Sequence, residues 1–168
     1  MCWHGCSLKH RKGTDMRIKL TITLAMAILS ATPAQADDKW RAPSSPEYRD
    51  ECGSCHIAFP PQMLDAASWR ALMDGLNKHF GSDASVDDKR RLAIADFLQQ
   101  NAARRSTQNA KGKPLLRISE TAHFVKEHRE IDAATWRRPS IKTAANCGAC
   151  HKQAAAGDFG EHSIAIPR

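Results

Sequence analysis

The sequence predicts a mainly α protein, small and helical, with two subdomains organised around bound groups rather than around one large apolar core. Three observations predict this. The pentapeptide Cys-x-x-Cys-His occurs twice, as Cys52-Gly53-Ser54-Cys55-His56 and Cys147-Gly148-Ala149-Cys150-His151. Between the copies, apolar residues recur at helical spacing, not in strand-like alternation. Only 6% of the chain is aromatic, which leaves too few large side chains to fill an apolar interior unaided.

C-x-x-C-H is the attachment signature of c-type haem. Two thiols two residues apart reach the two vinyl groups of one porphyrin, and the next residue places an imidazole under the iron. A redox dithiol or half of a zinc site also uses C-x-x-C, but neither calls for a histidine after both pairs. A zinc ribbon also sets its pairs closer together than the 95 residues between Cys52 and Cys147. The motifs therefore predict two covalently bound haem c groups. Cys52, Cys55, Cys147 and Cys150 are the attachment points, and His56 and His151 the proximal iron ligands.

Residues 1–15 are read as an untranslated extension, because Met16 begins a secretory signal of ordinary length. Met16-Arg17-Ile18-Lys19 is its basic start, Leu20 to Leu29 its apolar run, and Ala34-Gln35-Ala36 its small-residue cleavage site. Residues 16–36 are thus a signal peptide cleaved after Ala36, which predicts an exported product. The apolar run is too short to span a bilayer, so no membrane span is expected in the mature chain. Cys2, His4, Cys6 and His10 lie before the signal and would be removed with it. All four remaining cysteines stand in the two motifs, which leaves none for a disulfide.

The formal charge is +7, but residues 1–36 hold five of the basic residues against one acid, so the remaining 132 carry +3. No basic face interleaved with aromatics stands out, which argues against a nucleic-acid partner.

Along the mature chain, Ser45-Pro46-Glu47 reads as a helix start, leading through Tyr48 and Cys52 into the first motif. Pro60-Pro61 ends that stretch. Ser68 is expected to cap a second helix whose apolar stripe is Trp69, Leu72, Met73, Leu76, His79 and Phe80, with Gly81 closing it. His79 on that stripe is a candidate distal ligand for the first haem. Ser85 to Ala103 reads as a third helix, with Ser85 as its cap and Ile94, Phe97, Leu98 and Asn101 on one face. Residues 37–103 make the first haem subdomain, and polar residues 104–114 a linker.

In the second haem subdomain, 115–168, Ser119 or Thr121 can cap a helix through Phe124, Val125 and His128. Phe124 and His128 share a face, whereas His123 projects about 140° away from His128. Ile131 to Arg138 reads as a turn. A last helix from Ser140 carries the second motif to Gly157, and the tail holds His162. Met63 and Met73 remain alternatives as axial ligands, although Met73 sits on the core stripe.

The two motifs, with Pro60-Pro61, Ser68-Trp69, Leu72-Met73, His79-Phe80-Gly81 and the closing Ile166-Pro167-Arg168, resemble the small bacterial dihaem cytochrome c family. The likeness covers nearly all of the mature chain. It implies a periplasmic electron carrier with both haems bis-histidine ligated: His56 and His79 on the first, His151 and His128 on the second. It further implies redox-protein partners, among them a small oxygen-binding c-type haem protein and a membrane cytochrome b. The expected function is electron transfer between proteins without a substrate of its own. The rival is a haem enzyme of peroxidase or reductase type, or a sensor, with one open iron; a second ligand for each iron discriminates between them.

Overall fold

The computed structural model describes Trp40 and residues 45–168. The expectations for residues 1–36, the extension and the signal peptide, lie outside the described residues. The architecture is mainly α, and among the described residues no strand forms beyond isolated bridges.

Helix α1 (Pro46–Cys52) starts as its sequence dictates. Ser45 Oγ accepts from the Tyr48 N–H at 3.2 Å, Pro46 occupies the first turn and Glu47 follows it. The helix stops at Gly53, whose N–H still donates to Arg49 O at 2.9 Å.

Helix α2 (Ala66–Asp74) begins and ends earlier than the sequence reading has it. Asp65, not Ser68, is its cap, with its carboxylate accepting from the Ser68 N–H at 2.8 Å. Ser68 lies in the first turn, where its buried hydroxyl reaches Thr107 instead. Gly75 ends the helix, and a short 3-10 turn over Leu76–Lys78 carries the chain on to His79. The helix therefore stops at Asp74 rather than at Gly81, because glycine is a poor helix former.

Helix α3 (Asp88–Gln100) is capped by Asp87 rather than Ser85; the Asp87 carboxylate accepts from the Arg90 N–H at 3.1 Å. Its buried face is Ile94 and Leu98, each 1% exposed, and it packs on α2 and α1. Tyr48, Leu64, Trp69, Met73, Ile94 and Leu98 form this core. Met73 is therefore a packing residue.

The segment 104–114 is fastened to the start of α2. Asp65 N–H donates to Thr107 Oγ1 at 2.9 Å, Thr107 N–H donates to Asp65 Oδ2 at 2.6 Å, and Ser68 Oγ donates to Thr107 O at 3.1 Å. Burial pushes the Asp65 carboxyl up, but the backbone N–H groups of Thr107 and Ser68 outweigh it and hold it below the ordinary carboxylate range.

The second half has shorter elements. Thr121 caps α4 (Ala122–Glu127), its Oγ1 accepting from the Phe124 N–H at 3.2 Å. The stretch read as a turn contains a one-turn helix, α5 (Ala133–Trp136), capped by Asp132. The expected helix from Ser140 to Gly157 does not form. Lys142 has φ 66, a left-handed conformation that cannot continue a helix, and Asn146 Nδ2 donates to Ile141 O at 3.0 Å. Short 3-10 turns at Cys147–Ala149, Ala154–Ala156 and Glu161–Ser163 replace it. Gly157, at φ 75, ends the middle one, and its carbonyl accepts from Trp40 N–H at 3.2 Å.

From residue 104 on, the buried apolar residues are Ile141 and Ala154. Burying an isoleucine contributes about 1.5–3 kcal/mol, against an ordering cost of about 1–2 kcal/mol per residue. Packing of this kind does not order more than fifty residues, so this half needs apolar surface from a bound group.

Candidate functional site

The structure gathers the predicted histidines into two pairs. His56 and His79 have ring centres 6.3 Å apart, and His128 and His151 have ring centres 6.0 Å apart. A metal bound to imidazole lies about 2 Å from the nitrogen, so two imidazoles sharing one ion have ring centres roughly 6 Å apart. Both pairs meet that spacing, and in each pair one member belongs to a C-x-x-C-H motif. Their planes differ: His56 and His79 lie at 23°, His128 and His151 at 70°.

Local structure sets each ring. In the first pair, Tyr48 Oη donates to Phe59 O at 2.6 Å, and the Phe59 ring stacks on His56 at 4.7 Å. His56 Nδ1 lies 2.7 Å from Ile57 O, which fixes Nδ1 as the protonated nitrogen and leaves Nε2 for a metal. His79 is not on helix α2. It is the first residue of a tight turn in which Ser82 N–H donates to His79 O at 3.0 Å, with Phe80 at φ 51 and Gly81 at φ 100. Two positive φ values in succession define a type I′ turn.

In the second pair, His128 ends α4. Its ring stacks on Phe124 at 3.9 Å and 15°, as the shared face implied, and Trp136 lies 5.8 Å away. His128 Nδ1 lies 2.9 Å from Phe124 O, so Nε2 is again left free. His151 follows the 3-10 turn of the second motif and has Phe159 beside it at 5.4 Å.

The remaining ring nitrogens point to a missing partner. Nδ1 of His79 and Nδ1 of His151 are buried with no hydrogen-bond partner, a condition that costs about 1–3 kcal/mol unless something bound there supplies one. Burial, then the charges of His56 and Arg117, hold His79 below the ordinary histidine range. Burial and His128 do the same for His151, opposed by Asp158. Lowered values favour neutral imidazole, the metal-binding form.

The four motif cysteines are free thiols. Burial pushes Cys52 and Cys147 each up to about 11, with the Glu51 carboxylate adding to the effect at Cys52. Among the described residues no three His, Cys, Asp or Glu side chains gather as a metal cluster. The donors come as imidazole pairs, the set that haem iron takes with its porphyrin. The residues thus fit two haem irons.

The other histidines stand apart. His123 is exposed, with its ring edge-on to Trp40 at 5.5 Å. His162 is exposed and lies 3.3 Å from the buried Asp158 carboxylate. Sequence reasoning did not identify Phe59, Trp136 and Phe159 as the rings that flank the pairs, because aromatic packing across turns carries no periodic signal. Among the described residues no helix is long and apolar enough to cross a membrane.

Known proteins resemble this chain in sequence and fold. A family model described as dihaem cytochrome c matches residues 48–159. A diheme cytochrome type c of Shewanella baltica OS155 is 36% identical, with 74% of this chain and 94% of that one covered and a TM-score of 0.65. A structure described as DHC of Rhodobacter sphaeroides is 38% identical, covering 71% of this chain and 100% of that one, with a TM-score of 0.61. A diheme cytochrome c of the same organism is 37% identical, covering 70% and 98%, with a TM-score of 0.63. No curated protein matches the sequence.

Proposed function

Since this chain belongs to the dihaem cytochrome c family, we propose that it is a periplasmic electron carrier with two covalently attached haems, each held between two histidines. Cys52 and Cys55 would attach the first haem, with His56 and His79 as its axial ligands. Cys147 and Cys150 would attach the second, with His151 and His128. The observation that carries the ligand assignment is the spacing of the two imidazole pairs, 6.3 and 6.0 Å between ring centres.

Bound there, each haem supplies one-electron redox chemistry. The protein's part would be to supply two imidazoles to each iron, His56 and His79 to one and His151 and His128 to the other, which would leave no place for a substrate and favours a carrier over an enzyme. Hydrogen bonds from His56 Nδ1 to Ile57 O and from His128 Nδ1 to Phe124 O orient those two rings and raise their basicity as ligands. Two imidazoles also set a lower potential than a histidine and methionine pair would. The proposed partners are other redox proteins, a small oxygen-binding c-type haem protein and a membrane cytochrome b among them.

Intact mass spectrometry tests the reading, on protein from a host with cytochrome c maturation. The expected product starts at Asp37 and carries two haems. A product with one haem, or with zinc, overturns it.

A further inference from the structure

The turn that presents His79 is strained, and one arginine from the other half of the chain leans on it. Phe80 occupies the first central position of the type I′ turn at φ 51. A bulky L-residue rarely adopts that conformation, and glycine or asparagine is the usual occupant. Strain of this kind persists where the surroundings hold it in place. Phe80 is 45% exposed, so burial does not hold it. Its ring packs edge-to-face with His79, centres 4.9 Å apart, and the Arg117 guanidinium lies 4.1 Å from the ring centre.

Arg117 is itself well placed. It caps the 3-10 turn Ile118–Glu120, its Nε lies 3.8 Å from Glu120 Oε1, and Ile118 packs against the first core. A guanidinium over an aromatic face is attracted to the ring's negative face, and Phe80 presents that face to Arg117 in its left-handed conformation. The contact therefore opposes relaxation of the turn, and relaxation would move the neighbouring imidazole.

We infer that Arg117 is a positioning residue for the first haem: it clamps Phe80 in the strained turn and so keeps His79 aimed at His56. The inference rests on the assignment of His79 as an axial ligand. It also gives the chain beyond residue 114 a hold on the first site, since Arg117 is the only member of this contact from that part of the sequence. Its cationic charge beside the first site disfavours the more positive oxidised form, so it also raises that site's potential.

The test uses the reduced holoprotein and carbon monoxide, with His79→Ala marking full opening of the first haem. Arg117→Ala should raise carbon monoxide uptake at the first haem about two- to five-fold over wild type, the range an exposed cation–π contact corresponds to. It should also lower that haem's midpoint potential. Arg117→Lys should keep the potential near wild type while its uptake lies between the two, because lysine keeps the charge but lacks the flat stack. If wild type is closed and Arg117→Ala is equally closed with an unchanged potential, the inference fails and the ligand assignment stands. If wild type already takes up carbon monoxide fully at the first haem, the ligand assignment fails and the inference fails with it.

Discussion

Replacing His128 by alanine separates the second imidazole pair from its neighbours more sharply than any other single change. The ring stacks on Phe124 at 3.9 Å, and its Nδ1 bonds to Phe124 O at 2.9 Å. An aromatic pair contributes about 0.5–1.5 kcal/mol and a neutral hydrogen bond about as much. His128→Ala should therefore cost about 1–3 kcal/mol from protein contacts alone. Its larger effect is on coordination: one of the two irons loses a ligand, becomes high-spin and takes up one carbon monoxide per protein when reduced. His123→Ala is the control. That ring is exposed and lies edge-on to Trp40 at 5.5 Å, so the change should stay within about 1 kcal/mol with carbon monoxide uptake no greater than wild type. Optical titration with carbon monoxide and thermal unfolding read both quantities. If His123→Ala opens an iron and His128→Ala does not, the assignment of the second pair is wrong.

Three further outcomes follow from the same geometry. Asp65→Ala removes a helix cap and the bond to Thr107, and should cost about 2–4 kcal/mol in denaturant unfolding; because the folded Asp65 value lies below the unfolded one, the part of that difference due to the ionised carboxylate is fully present above about pH 4 and is lost as pH falls through the lowered value. Gly53→Ala places a Cβ 2.1 Å from Arg49 O, whereas a Cβ at Gly148 meets nothing within 4 Å; mass spectrometry should show impaired attachment at the first motif for Gly53→Ala and two haems for Gly148→Ala. Replacing Cys147 and Cys150 together by serine should abolish hydrogen-exchange protection over α4 and α5 while α1 to α3 keep theirs, since the buried apolar residues of the second half are Ile141 and Ala154; retained protection in α4 would show that this half has a core of its own.

The parts of the site that one peptide segment determines were legible in the sequence. Both motifs, the start of α1 at Ser45-Pro46, and the Phe124 and His128 face are short-range features, and the structure keeps each. Competition between neighbours was harder to read. Ser68 and Ser85 are reasonable caps in isolation, but Asp65 begins its helix three residues before Ser68 and Asp87 begins its helix two residues after Ser85, and the Ser68 hydroxyl is engaged by Thr107 from 39 residues away. His79 comes to lie beside His56, ring centres 6.3 Å apart, by a route the sequence did not suggest. Its position on the apolar stripe suggested a continuous helix, while the chain turns at Gly75 and again at Phe80-Gly81. The missing last helix has a similar cause, since nothing in the sequence around Lys142 marks it for a left-handed conformation.

Low-temperature electron paramagnetic resonance of the oxidised holoprotein tests bis-histidine ligation at both haems most directly. Near-parallel axial imidazoles give a rhombic low-spin signal, and near-perpendicular ones give a strongly anisotropic signal with a larger highest g value. The rings of His56 and His79 lie at 23° and those of His128 and His151 at 70°. The spectrum should therefore contain one low-spin centre of each kind, in equal amounts, with no high-spin iron. A high-spin signal accounting for one of the two irons would contradict the account.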